Sequence, residues 1–118
     1  MKSGKEYKVV FQLSNNDTFI HKSLVRQLSN LLSALEGVTI EVVAHSYGID
    51  FLLKDSPFRE NIEALAGQCV KFMVCQNTLN EGKTDATEIL PSAKIIPAGI
   101  AHVVIRQSEG WGYIKAGF

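Results

Sequence analysis

Apolar positions along the chain change their spacing several times, and each change marks an element. Val9-Val10-Phe11 form a continuous apolar run within Tyr7 to Leu13, the pattern of a short strand buried on both faces. Ile20, Leu24, Leu28, Leu31 and Leu35 then recur every three or four residues. This spacing predicts a long amphipathic helix, capped by Asn16 or Asp17 and stopped at Gly37. Val38 to Ala44 reads as a second strand, His45-Ser46-Tyr47-Gly48 as the loop leaving it, and Ile49 to Leu53 as a short helical piece. Ser56-Pro57 starts a helix with the proline at its first position, and Phe58, Ile62, Leu65 and Ala66 line one face up to Gly67. Gln68 to Cys75 returns as a third strand.

The polar stretch Thr78 to Leu90 predicts one or two short helices broken at Gly82, and Lys94 to Ile96 a short fourth strand. Pro97 opens a further helix in which Ile100, Val103 and Val104 face the core, Gly110 ends it, and Trp111 to Ile114 closes the chain as a fifth strand. Alternating strands and helices imply an α/β fold: three layers, α/β/α, around a mainly parallel five-stranded sheet. The pattern leaves the strand order open.

The 118 residues suit a single domain spanning 1–118, with residues 1–6 expected to be flexible. Twelve Lys and Arg balance twelve Asp and Glu, and the basic residues are scattered, so no nucleic-acid partner is expected. No segment reaches the ~20 apolar residues of a membrane span, and Met1 to Glu6 reads as no signal peptide. No membrane association is expected, and the compartment is expected to be cytoplasmic. Cys69 and Cys75, at opposite ends of one strand, would stand about 20 Å apart, beyond disulfide reach. Neither these cysteines nor His21, His45 and His102 have metal-ligand spacing. No cofactor or metal is expected.

In open parallel sheets, reactive groups gather beyond the carboxyl ends of the strands, where loops diverge and helix amino termini point into the crevice. At those ends this chain places Asn15 and Asn16, then His45, then Cys75-Gln76-Asn77, then Pro97-Ala98-Gly99. Gln76, Asn77 and Thr78 suit a helix start, whose positive end lowers the pKa of a nearby thiol. Cys75 is therefore either a nucleophile or sulfur carrier, or a cysteine packed as a small hydrophobe. His45 either orients or deprotonates a reacting group beside it or simply bonds backbone. Asn15 and Asn16 either donate to an anion or cap the helix. Cys69 is expected to be structural, and His21 and His102 to be partly exposed or interface residues.

The tail Ile96-Pro97-Ala98-Gly99-Ile100-Ala101, with Gln107-Ser108-Glu109-Gly110-Trp111-Gly112-Tyr113-Ile114, resembles the DsrE/DsrF-like family. Val74-Cys75-Gln76-Asn77-Thr78-Leu79 is similar to that family's cysteine turn, and Val42-Val43-Ala44-His45 to its second strand and following histidine. Many relatives continue the histidine directly with glycine, whereas Ser46 and Tyr47 intervene here before Gly48. The resemblance implies the three-layer fold, a homo-oligomer (trimer or hexamer), and a cysteine carrying persulfide sulfur between donor and acceptor proteins. On that likeness Cys75 is the carrier; from their places at the strand ends, His45 is the second catalytic candidate and Asn15, Asn16, Gln76, Asn77, Thr78, Pro97 and Gly99 are candidate pocket residues. The alternative is a non-catalytic oligomeric module binding a small molecule or protein through the same crevice.

Overall fold

The structure, a computed structural model, describes residues 6–117. The expectation of flexibility therefore lies, for residues 1–5, outside the described residues. The chain forms β1 (Lys8–Leu13), α1 (Thr18–Ala34), β2 (Thr39–Ala44), a 3-10 segment (Ser46–Leu52), α2 (Arg59–Gly67) and β3 (Lys71–Cys75). It continues with α3 (Gln76–Gly82), a 3-10 turn (Ala86–Glu88), β4 (Ala93–Ile96), α4 (Gly99–Ser108) and β5 (Gly112–Lys115). The five strands make one parallel sheet in the order β4-β3-β2-β1-β5.

That order dictates the layers. From β1 to β4 the chain walks across the sheet in one direction, and then returns over it to add β5 beside β1. Right-handed crossovers put helices of opposite steps on opposite faces. The two cores divide accordingly. One face carries Phe11, Leu13, Ile40, Val42, Phe72 and Val74 under Leu24 and Leu28 of α1, Ile62 and Leu65 of α2 and Leu79 of α3. The other carries Val10, Val43, Met73 and Ile96 under Val103 of α4 alone.

Local chemistry fixes the ends of the elements. Asp17 caps α1, its carboxylate accepting from the Phe19 amide at 2.8 Å. Pro97 lies ahead of α4, whose cap is Ala98, rather than opening the helix itself. Likewise α2 begins at Arg59, two residues after Pro57, with the Ser56 hydroxyl accepting from the Phe58 amide at 3.2 Å. It ends at Gly67, as the spacing predicts, and beyond it Cys69 takes the left-handed conformation (φ 73°), with the Cys69 and Val70 amides bonding back to Ala66 and Leu65 at 3.0 and 3.1 Å. This closing turn holds Cys69 on the surface, so β3 starts only at Lys71 and Cys69 is an exposed free thiol rather than a buried strand residue.

Two further expectations are corrected. His21 is buried, its Nε2–H donating to the Asn15 carbonyl at 2.8 Å and its ring edge-on to Phe51 at 4.9 Å. In α4 the core-facing residues are Gly99 and Val103 with the half-buried His102 and Arg106, while Ile100 and Val104 face outward at 50% and 57% exposure. The polar side chains turn inward because Glu41, only 1% exposed on β2, waits beneath them.

Candidate functional site

The loops after β3 and β4 lead to opposite faces, β3 running into α3 and β4 into α4, although Cys75 and Ile96 are register partners at the strand ends. Adjacent strands whose connections part in this way open a crevice between two helix starts. Cys75 ends β3 at that point and is the cap residue of α3.

The backbone amides of Gly99, Thr78 and Asn77 and the Thr78 hydroxyl are turned toward its sulfur, which makes no side-chain cap hydrogen bond to α3. Burial pushes the thiol up, but these donors together outweigh it and hold Cys75 below its ordinary value of 9.0. Gly99 is required there by space. A Cβ on it would stand 3.1 Å from both the Cys75 Cβ and the Val43 Cγ1, so a side chain would press on the sulfur-bearing residue. The sulfur opens on a cleft of about 200 Å³ lined by His45, Ser46, Asn77, Thr78, Gly99 and Ile100, among others.

Thr78 is itself held in place. The Ser46 amide donates to its Oγ1 at 3.0 Å, which leaves the hydroxyl proton free to point at the sulfur. Ser46 adopts a left-handed φ of 53°, and Gly48 follows it because a side chain there would run into the Leu13 carbonyl. The Ser46-Tyr47 pair that separates His45 from Gly48 thus supplies a working contact of the site.

His45 lines the same cleft, and both its ring nitrogens bond elsewhere. Gln12 donates from Nε2 to the His45 Nε2 at 2.9 Å, and the His45 Nδ1–H donates to the Ser46 Oγ at 3.2 Å. Tyr113 donates to the Gln12 Oε1, which orients that amide. Burial, reinforced by Lys115, lowers the His45 pKa from 6.5, so the ring is neutral near pH 7. Hydrogen bonds therefore link Tyr113 on β5 through Gln12, His45 and Ser46 to Thr78, beside the sulfur.

The other sequence-derived pocket residues divide. Asn77, Thr78 and Gly99 join Cys75 and His45 at the cleft. Asn15 lies at the start of α1, its Oδ1 accepting from the Asp17 amide at 3.2 Å, and Asn16 reaches Asp50 at 3.4 Å. Gln76 bonds Asn80 on its own helix at 2.9 Å, and Pro97 lines a separate groove on the far side of α4.

Sequence reasoning missed a second polar cluster on the α4 face. Arg106 grips Glu41 with two bonds of 2.9 Å, and His102 donates from Nε2 to Glu41 at 2.7 Å. Burial raises the Glu41 pKa, yet Arg106 and His102 together bring it below 4.5. The turn at Gly110 (φ 89°) swings the Trp111 ring under the Arg106 guanidinium, 4.6 Å away. The available signal was a lone carboxylate inside the apolar run Ile40-Glu41-Val42-Val43, since an acid there requires a buried cation.

A model of the DsrE/DsrF-like family matches residues 8–116. Among solved structures, the protein of unknown function MTH1491 from Methanobacterium thermoautotrophicum is similar, with 38% identity and a TM-score of 0.90 over 92% of this chain and 98% of that one. The conserved protein of unknown function BT1422 from Bacteroides thetaiotaomicron shares the fold at 12% identity, with a TM-score of 0.75 over 92% and 93% of the two chains. No curated protein matches. Among the described residues, no helix is long and apolar enough to cross a membrane.

Proposed function

The chain belongs to the DsrE/DsrF-like family, and from that footing we propose that it is a cytoplasmic sulfur-relay protein carrying sulfane sulfur on Cys75. The observation that carries this reading is the set of donors converging on one sulfur, from the starts of two helices and from Thr78. The Cys75 thiolate attacks the outer sulfur of a donor persulfide. The donor S–S bond breaks, the donor leaves as a thiolate, and the transferred sulfur keeps its proton as the Cys75 persulfide. An acceptor thiolate then attacks that outer sulfur and releases Cys75 as thiolate. His45, neutral and bonded to Ser46, is a positioning residue that keeps the Ser46 amide on Thr78. The chain assembles as a trimer or hexamer, and the apolar outer side of α4, with Ile100 and Val104, supports such self-association.

Intact-mass measurement after incubation with a low-molecular-weight persulfide is expected to show a gain of one sulfur that disappears in Cys75→Ser. Absence of the gain, or its persistence in that variant, refutes Cys75 as carrier. The competing reading, a non-catalytic binding module with Cys75 merely packed, draws on its 6% exposure. Native thiol titration separates the two: the carrier reading requires rapid alkylation of Cys75 near neutral pH, and the packed reading requires resistance until the protein unfolds.

A further inference from the structure

On the far side of α4 from β5, the sheet face is left open as a groove of about 600 Å³, within the range of small-molecule sites. Its apolar surface includes Met73, Ile96, Ala101 and Ile105. At its margin stand Lys71 on β3 and Lys94 on β4, diagonal neighbours on adjacent strands, since Met73 is the register partner of Lys94. Neither lysine has an ion-pair partner among the described residues. The one carboxylate in the wall, Glu41, is already bound by Arg106 and His102 and does not repel an anion. The lining thus pairs an apolar surface with an excess of two positive charges.

We propose that this groove binds a small amphipathic carboxylate, its apolar body against Met73, Ile96 and Ile105 and its anionic end between Lys71 and Lys94. The site is independent of sulfur transfer at Cys75. It nevertheless meets the Cys75 cleft at Ala98, which lines both.

The test titrates the full chain with naphthalene-2-carboxylate and, separately, with its neutral amide, following backbone amide NMR shifts. Saturable shifts are expected at Lys71, Met73, Lys94 and Ala101, with the carboxylate binding roughly tenfold tighter than the amide, a preference set by two partly exposed ion pairs. The double variant Lys71→Gln/Lys94→Gln changes only exposed side chains, and its retained spectral dispersion confirms folding. It should lose the preference for the carboxylate. Shifts confined to the Cys75 cleft, no saturable binding because a second copy covers the groove, or a preference surviving in the double variant would each overturn the assignment.

Discussion

The two faces of the sheet follow opposite rules. Under α1, α2 and α3 the strands present Phe11, Leu13, Val42, Phe72 and Val74 to a closed apolar core. Under α4 the same strands set Gln12, Glu41, Lys71 and Cys75 among the buried Val10, Val43 and Met73, with His45 just beyond β2, and the helix above turns His102 and Arg106 inward beside Val103 while Ile100 and Val104 face out. Since side chains alternate along a strand, each strand contributes to both faces at once. One face is closed by apolar packing, while the other sets polar groups within a smaller apolar core, and the candidate chemistry lies there. The difference arises from connectivity: three of the four crossovers cover the first face, and a single return helix is left for the second.

Substitutions can test that division, beginning where the effect should be largest. Phe51 is fully buried in the 3-10 segment and touches the rings of His21, Phe58 and Phe72. Phe51→Ala should cost about 3–5 kcal/mol in urea unfolding, and a loss under 1 kcal/mol would show that the first face is not the stability core.

Glu41→Gln leaves Arg106 and His102 without their buried partner. The expected cost is about 2–3 kcal/mol, discounted because Arg106 is partly exposed. The folded carboxylate lies below its ordinary value of 4.5. Its contribution is therefore complete above pH 4.5 and disappears as the pH falls through the lower folded value. Unfolding curves taken stepwise into acid should show this loss in the parent protein and not in Glu41→Gln.

Thr78→Val removes one donor to the sulfur and should slow iodoacetamide labelling of Cys75 at pH 7 by about tenfold. The pH midpoint of labelling should also rise toward that of an ordinary thiol. An unchanged profile would remove Thr78 from the set that holds the thiolate. The smallest effect is expected at Val104, 57% exposed on the outer side of α4. Val104→Lys should change unfolding free energy by less than about 0.5 kcal/mol per folded monomer, while sedimentation should register a loss of self-association. A large fall in monomer stability would mean that Val104 packs within its own chain.

Much of the first face can be read from sequence. The apolar stripe of α1 has a single period, and only one side of that helix can be buried, so Leu24 and Leu28 are found directly. The second face resists such reading because α4 is apolar on more than one side. Periodicity favours Ile100 and Val104 as inner residues, whereas the buried carboxylate of Glu41 draws His102 and Arg106 inward. Cys69 escaped because a left-handed residue beyond the close of a helix is expected to be glycine or asparagine, and a cysteine gives no sign of that turn. Cys75 could be placed at the end of its strand from the run that precedes it. Its Gly99 contact could not, because that needs the knowledge that β3 and β4 are neighbours whose connections part.

The donors around that sulfur come from widely separated parts of the chain: Asn77 and Thr78 follow it immediately, while Gly99 arrives with the return helix. A sulfur with its complete surroundings therefore exists only where α4 lies against the sheet, so the environment of the thiol reports whether the two halves of the chain have come together.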